Sequence, residues 1–234
     1  MQITNRFATL LGVALCATNG IAHAAILADY RFSSNPTNSE PLVTQSTASV
    51  ITRSTDVAYV STSGNPGGMA SIAVDKTDGT SETSAVAAGD YIAFTVTPNV
   101  GYALDLSDVQ FDWVVQRDSA GTGDPSPLTA TAFLKSSVGG FGATDPTLGT
   151  VSRGSTTFGI GVTNPWANAQ IDLSSLANSS SAVTFRLYLY DNGSYANSRV
   201  RLDNLAVHGT VVPEPACGAS IGIMGLLLQR RRRR

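Results

Sequence analysis

Apolar and polar residues alternate along several stretches of this chain with the period of two that a half-buried β-strand requires. Three stretches show the pattern most clearly, with apolar residues at Ile92, Phe94 and Val96, at Val109, Phe111, Trp113 and Val115, and at Val183, Phe185, Leu187 and Leu189. Shorter strands are predicted at residues 26–32, 57–61, 70–75, 129–135, 157–162 and 169–173. Because Trp113 lies on the apolar face of its stretch, we expect it in the core.

Clusters of glycine, proline, asparagine and aspartate separate these stretches, as at residues 64–68 and 124–127. No segment between them has a convincing helical period. Many short strands with one apolar face and turns between them favour two antiparallel sheets packed face to face. The predicted fold class is therefore all-β, a two-sheet antiparallel sandwich. A jelly roll is the first choice, and an immunoglobulin-like sandwich is the second.

The last predicted strand contains a change of phase. Its apolar residues lie at even positions up to Leu202 and at odd positions from Leu205 onwards, so one residue is inserted at Asp203-Asn204. An extra residue in an alternating strand is typical of a β-bulge, and bulges are common at the rims of sheets and near sites.

The N-terminus has the features of a secretory signal peptide. Arg6 gives a positive start, residues 7–17 are apolar, and Ala22-His23-Ala24 fits a small-x-small cleavage site. We predict a signal helix at residues 1–24 and a mature start at residue 25. A lipoprotein signal that uses Cys16 is the weaker alternative, because a bulky leucine precedes that cysteine.

The C-terminus combines three features in order. A proline-rich motif at Val212, Pro213, Glu214 and Pro215 is followed by apolar residues 216–228 and by the arginines Arg230, Arg231, Arg232, Arg233 and Arg234. A proline cannot donate a backbone hydrogen bond, so a preceding strand must end there. The thirteen apolar residues rise about 20 Å as a helix, a short membrane span. The arginines favour a cytoplasmic position for that end.

This order resembles the PEP-CTERM sorting signal of exported bacterial proteins. The resemblance implies recognition by an exosortase-type transpeptidase, processing near residues 213–215, membrane anchoring before processing, and a final place at the cell surface or in the extracellular matrix. The chain then divides into a signal peptide (1–24), an ectodomain (25–210) and a sorting and anchor segment (211–234). The alternatives for the tail are a buried hairpin with a basic extension and a nucleic-acid-binding arm.

Removing both ends makes the body acidic. Between residues 25 and 212, nine lysines and arginines stand against sixteen aspartates and glutamates, a formal charge of −7, whereas the whole chain carries −2. An acidic body does not attract nucleic acid. Both cysteines, Cys16 and Cys217, lie in the terminal segments, so the body contains no disulfide.

The stretches at residues 183–190 and 199–209 resemble the closing strands of carbohydrate-binding-module-like jelly rolls, where an Asp-Asn or Asp-Asp pair precedes the final apolar residues. The resemblance implies a structural calcium ion held by Asp203 beside the first strand, with Asp29 as the matching partner. Residues 75–82 are a second oxygen-rich candidate. In both places the alternative is a set of solvated turn aspartates, and no other cofactor is expected.

Glycan binding requires aromatic faces and planar polar groups. Arg186, Tyr188 and Tyr190 alternate on the polar side of their strand, and we predict that they form such a platform, with Trp166 and Tyr195 at its rim. The alternative is that the tyrosines are ordinary packing residues.

Catalysis finds little support in the sequence. His208 is the only histidine of the body, which excludes a three-histidine zinc site, and no Gly-x-Ser-x-Gly elbow is present. Glu40 and Glu82 are its only glutamates and are expected in polar loops. We therefore expect a non-enzymatic surface or matrix protein associated with glycan or exopolysaccharide. The alternatives are a secreted polysaccharide-acting enzyme and a structural coat protein.

Overall fold

A computed structural model describes residues 24–32, 45–54, 57–60, 71–74, 80–117, 129–154, 165–191 and 198–214. These residues form twelve strands and one helix. Their bounds are β1 Ala25–Tyr30, β2 Ser46–Ala48, β3 Thr52–Arg53, β4 Val57–Val60, β5 Ser71–Val74, α1 Glu82–Ala88, β6 Tyr91–Pro98, β7 Tyr102–Arg117, β8 Thr129–Ser136, β9 Gly149–Gly154, β10 Ala167–Asp172, β11 Val183–Asp191 and β12 Ser198–Pro213.

The strands form two six-stranded antiparallel sheets. Sheet A has the order β10-β7-β12-β5-β4, and β1 also pairs with β12. Sheet B has the order β2-β6-β11-β8-β9, and β3 also pairs with β6. Strand β7 pairs with β12 along one of its edges. Along the other edge, residues 200–202 of β12 pair with β5 and residues 205–209 pair with β1. The predicted β-sandwich of antiparallel sheets is confirmed.

The core lies between the inner faces of the sheets, where the predicted apolar positions meet. Phe94 of β6 stacks on Phe185 of β11 with 5.4 Å between ring centroids. On the opposite sheet, Phe111 contacts Trp113 edge-on, and Trp113 is only 3% exposed, as predicted. Burying one such side chain stabilises the fold by about 1.5–3 kcal/mol. Alternation in the sequence therefore identified the correct inner faces.

The predicted bulge in the last strand is also present. The register between β12 and β7 shifts between Asp203 and Ala206, and Asn204 has a φ of 50°. Asparagine tolerates this left-handed conformation better than most residues. A second shift follows at Gly209, where an added Cβ would lie 2.5 Å from the Asp105 carbonyl oxygen. Only glycine fits that close approach.

Helix α1 contradicts the expectation that Glu82 lies in a polar loop. Glu82 is its first residue, Ser81 and Ser84 form a reciprocal capping box, and Gly89 ends it with a φ of 81°. The helix has seven residues and buries only Ala85, so it is too short to show a periodic apolar face in the sequence. Strand β9 was likewise not predicted, whereas the strand predicted at residues 157–162 lies outside the described residues.

Strand β12 ends at Pro213, where the prolines predict that it must. Within the described residues, no helix has the length and apolar character needed to cross a membrane. The predicted signal peptide up to residue 23, and the tail from Pro215 with its apolar stretch and arginines, lie outside those residues. Residues 75–79 of the second calcium candidate lie outside them as well.

Candidate functional site

The outer face of sheet B carries the predicted aromatic platform, but its central residue is buried. Tyr188 is 1% exposed. Its ring stacks on Phe133 at 4.9 Å and lies 5.2 Å from Tyr91, in a small cluster with Ala85 of α1. A ring enclosed on both sides has no free face for a sugar. The prediction that Tyr188 forms part of a binding platform is therefore corrected.

The other platform residues are also engaged. The guanidinium of Arg186 lies 4.4 Å from the ring centre of Tyr91 and 4.2 Å from that of Phe141, a double cation–π contact. Tyr190 meets Phe133 edge-on at 6.0 Å. Trp166 directly precedes β10 in sheet A, so it does not join this group. Tyr195 lies outside the described residues.

Helix α1 and residues 137–148 cover this side of sheet B. Lys135, 1% exposed, donates from Nζ to the Asp145 carbonyl. Glu82 accepts hydrogen bonds from Thr147 Oγ1 at 3.2 Å and Thr150 Oγ1 at 2.9 Å, which ties the helix to the loop and to β9. We call the outer side of sheet B around Phe133, Lys135 and Tyr188 the covered face.

The outer side of sheet A carries polar residues in cross-strand rows. The register aligns Asn168, Asp112 and Asp203 in one row, Gln170, Gln110 and Ala206 in the next, and Asp172, Asp108 and His208 in the third. Most of these side chains are exposed or half-buried. We call the surface formed by Asp108, Gln110, Asp112, Asn168, Gln170, Asp172, Asn204 and His208 the open face.

Hydrogen bonds hold several of these groups in place. Asp112 accepts from Asn204 Nδ2 at 2.9 Å and from Asn168 Nδ2 at 3.3 Å. His208 Nδ1 lies 2.7 Å from Asp108 Oδ1. Ser174 donates two hydrogen bonds to the Asp172 carboxylate, one from its backbone N–H and one from its hydroxyl. Both lower the pKa of that carboxyl, and the backbone bond has the larger effect. The open face therefore presents partly oriented amides and carboxylates.

A cleft lies where the edges of the two sheets meet at β9 and β10. It has a volume of about 350 Å³, and its lining includes Trp113, Val151, Ala167, Arg153, Asn168 and Gln170. Arg153 spans the edge, donating to the carbonyls of Trp113 at 2.7 Å and Pro165 at 2.6 Å, and burial lowers its pKa. The second bond fixes the residue before Trp166. We call this the edge cleft, and Asn168 and Gln170 join it to the open face.

Sequence reasoning missed this surface although a signal was present. Gln110 and Asp112 alternate with the apolar residues of their strand and so face outwards, but the sugar platform was predicted at Arg186, Tyr188 and Tyr190 instead. The partners on β10 and β12 come from distant parts of the chain, and only the strand register brings them beside Gln110 and Asp112.

The two predicted calcium ligands lie on neighbouring strands. Asp203 is fully buried beside the bulge and accepts the Asn204 N–H at 2.8 Å. Asp29 pairs in register with Ala206 of β12, and its carboxylate contacts Arg31 Nε at 2.6 Å. In the part of the chain that the structure describes, no group of three or more His, Cys, Asp or Glu side chains suits a metal ion. Calcium at Asp203 and Asp29 stays a prediction.

No family model and no curated protein matches this chain. Solved structures resemble it distantly. The CBM22-1 xylan-binding domain of Xyn10C from Paenibacillus barcinonensis is 17% identical, with 80% of this chain and 95% of that chain covered and a TM-score of 0.37. CBM27-1 from Caldicellulosiruptor saccharolyticus, solved with mannohexaose, is 10% identical, with coverages of 65% and 81% and a TM-score of 0.35.

A third resemblance is to the K1 cleaved adhesin domain of Lys-gingipain from Porphyromonas gingivalis W83, which is 12% identical. It covers 80% of this chain and 98% of that chain with a TM-score of 0.33. Because all three likenesses are distant, the function proposed below rests on this chain's own residues.

Proposed function

We infer that this chain is an exported bacterial surface or matrix protein whose jelly-roll sandwich binds glycan, such as exopolysaccharide, without catalysing a reaction. An exosortase-type transpeptidase sorts it through Val212, Pro213, Glu214 and Pro215. The order of signal peptide, Pro-Glu-Pro motif, apolar stretch and arginines supports export and anchoring. Before processing, the tail holds the protein in the membrane.

The observation that carries glycan binding is the continuity of the open face with the edge cleft. A sugar ring offers hydroxyl groups around its rim and C–H groups on its faces. Each amide of Gln110, Gln170 and Asn168 can both donate and accept a hydrogen bond, as a hydroxyl does. The half-buried side chains of Val151 and Ala167 in the lining of the cleft supply apolar contact beside them. A polysaccharide lying along β10 would meet both kinds of group.

The state of the carboxylates supports binding without turnover. A glycosidase of the common kind needs two carboxyl groups beside the scissile bond, one to donate a proton and one to act as base or nucleophile. On the open face, Asp112 is held by two asparagines, Asp108 by His208 and Asp172 by Ser174. These bonds hold the three carboxylates in fixed orientations, which suits them to accept hydrogen bonds from sugar hydroxyls.

A binding experiment tests the glycan part. The exported protein is applied to gels or arrays that carry bacterial exopolysaccharides, and retention is compared with a Gln110→Ala/Gln170→Ala variant. Two lost hydrogen bonds of about 1 kcal/mol each lower affinity at least about tenfold. The matched control, Thr47→Ala/Thr97→Ala, removes a facing pair of polar side chains from sheet B and leaves retention unchanged.

Retention of no glycan, or an equal loss in the control, would exclude this surface. Release of reducing sugar would contradict a non-enzymatic role. The sorting part is tested separately by cell fractionation. A full-length product in the cytosol that retains residues 1–24 would refute export.

A further inference from the structure

The end of β12 lies against the turn between β6 and β7. Val212 pairs with Ala103 and Pro213 with Tyr102. The next residue, Glu214, donates its backbone N–H to the Gly101 carbonyl at 3.0 Å. The sorting motif thus begins while the chain is still bound to the body, and no free linker separates the sandwich from Pro215.

The apolar stretch begins very close to this point. Residue 216 is two positions beyond Glu214. Since an extended residue spans at most ~3.6 Å, the turn at residues 99–102 lies within about 10 Å of the start of that stretch. If residues 216–228 enter a membrane, this end of the sandwich must lie at the membrane surface.

Val100, at the tip of the same turn, is fully exposed at 102%. Tyr102 donates its N–H to the Asn99 carbonyl at 3.1 Å, and Gly101 has a φ of 84°. Glycine with positive φ at the third position is typical of a type II turn, which projects the second residue outwards. Half-buried Tyr102 follows it, and tyrosine is enriched where protein meets the membrane interface.

Few charges lie at this end of the body: Glu214 follows β12, and exposed Asp105 comes just after the turn and the start of β7. Residues 97–104 contain no charged side chain, and neither do residues 176–182, where Ser179 bonds to Leu104 in both directions. The body as a whole carries −7, and an anionic membrane surface repels such a charge. An end with an exposed valine and two uncharged segments meets less resistance from lipid than the acidic body as a whole.

We propose that the turn at residues 99–102 docks on the membrane surface, with Val100 inserted at the lipid interface, while the tail anchors the unprocessed protein. The proposal rests on the membrane segment of the proposed function. Docking holds Pro213, Glu214 and Pro215 at the bilayer, within reach of a membrane transpeptidase. In this orientation β6 extends from the docked turn away from the membrane surface. The open face then lies on the side of the body, where a glycan can reach it.

Site-specific fluorescence tests the docking. A host without exosortase exports the Cys217→Ala chain with one added cysteine, either Val100→Cys or Ala88→Cys. Ala88 is exposed and lies near Tyr91, at the other end of β6 from Val100. The products are labelled with an environment-sensitive dye and reconstituted into phosphatidylethanolamine and phosphatidylglycerol vesicles. We expect a blue shift and quenching by nitroxide lipids at position 100, and neither effect at position 88.

The outcomes separate this inference from the proposed function. If the chain floats with the vesicles but position 100 shows no shift, or no more than position 88, the docking is refuted and the anchor stands. If the chain does not float, the membrane segment fails, and the docking fails with it. Because Val100 makes no packing contact as a fully exposed residue, its replacement leaves the fold intact.

Discussion

The two outer faces of this sandwich belong to similar antiparallel sheets but differ in what covers them. On the covered face, Phe133 and Tyr188 stack under α1, and Lys135 is buried under residues 137–148. On the open face, aspartates and amides bond to one another and remain accessible. Aromatic residues on the outer face of a sheet therefore form a second, smaller core where a helix and a loop lie over them. Outward polar residues stay accessible where none of the described helices or loops lies over the sheet.

The largest expected effect is on the covered face. Tyr188→Ala removes a buried, stacked ring and should lower the free energy of unfolding by about 3–5 kcal/mol, whereas Tyr188→Phe should cost about 1 kcal/mol or less. Urea unfolding measures both. Gln110→Ala on the open face should stay within about 0.5 kcal/mol. Equal losses for Tyr188→Ala and Gln110→Ala would show that the two faces do not differ.

The bulge on the open face gives the next effect. Asn204→Val places a β-branched residue at a φ of 50° and removes the bond to Asp112, so we expect a loss of about 2–3 kcal/mol. Asn204→Gly removes the same bond without the backbone cost and should lose about 1 kcal/mol or less. The difference in urea midpoint isolates the backbone term. If the valine variant were as stable as the glycine variant, the positive φ would not be strained.

A smaller effect comes from the bond that holds the cover in place. Glu82→Ala removes the acceptor of Thr147 and Thr150 and should cost about 1–2 kcal/mol. Hydrogen exchange should rise in residues 80–89 and 137–148, with no change on β10. Thr83→Ala, at an exposed neighbouring position in α1, is the control. Unchanged exchange in Glu82→Ala would mean that the helix and the loop are held without this carboxylate.

The smallest effect concerns the exposed end of the open face. Bonds from Ser174 lower the pKa of Asp172, so its ionised form stabilises the folded state above the ordinary aspartate pKa of about 4. That contribution is lost as pH falls through the lowered pKa. The difference in stability between wild type and Asp172→Asn should therefore be small near neutrality and vanish in acid. Urea midpoints across this range measure it, and a difference that grows in acid would contradict the sign.

The sequence predicted the features that depend on local interactions within a strand, and missed those that depend on contacts between distant parts of the chain. Alternation placed Phe94, Phe111 and Trp113 correctly because period-two burial is a property of each strand alone. The change of phase located the bulge at Asp203-Asn204 for the same reason. The burial of Tyr188 was not predictable in this way, since it depends on Tyr91, Phe133 and α1, which reach it from other parts of the chain. The rows of the open face depend on pairing among β7, β10 and β12.

Strand β12 lies between β7 on one side and β1 and β5 on the other, and it follows every one of these partners along the chain. Sheet A cannot close until this late strand is available, and pairing over such long separations is slow. Sheet A is therefore completed late, by the strand that comes last among the described residues.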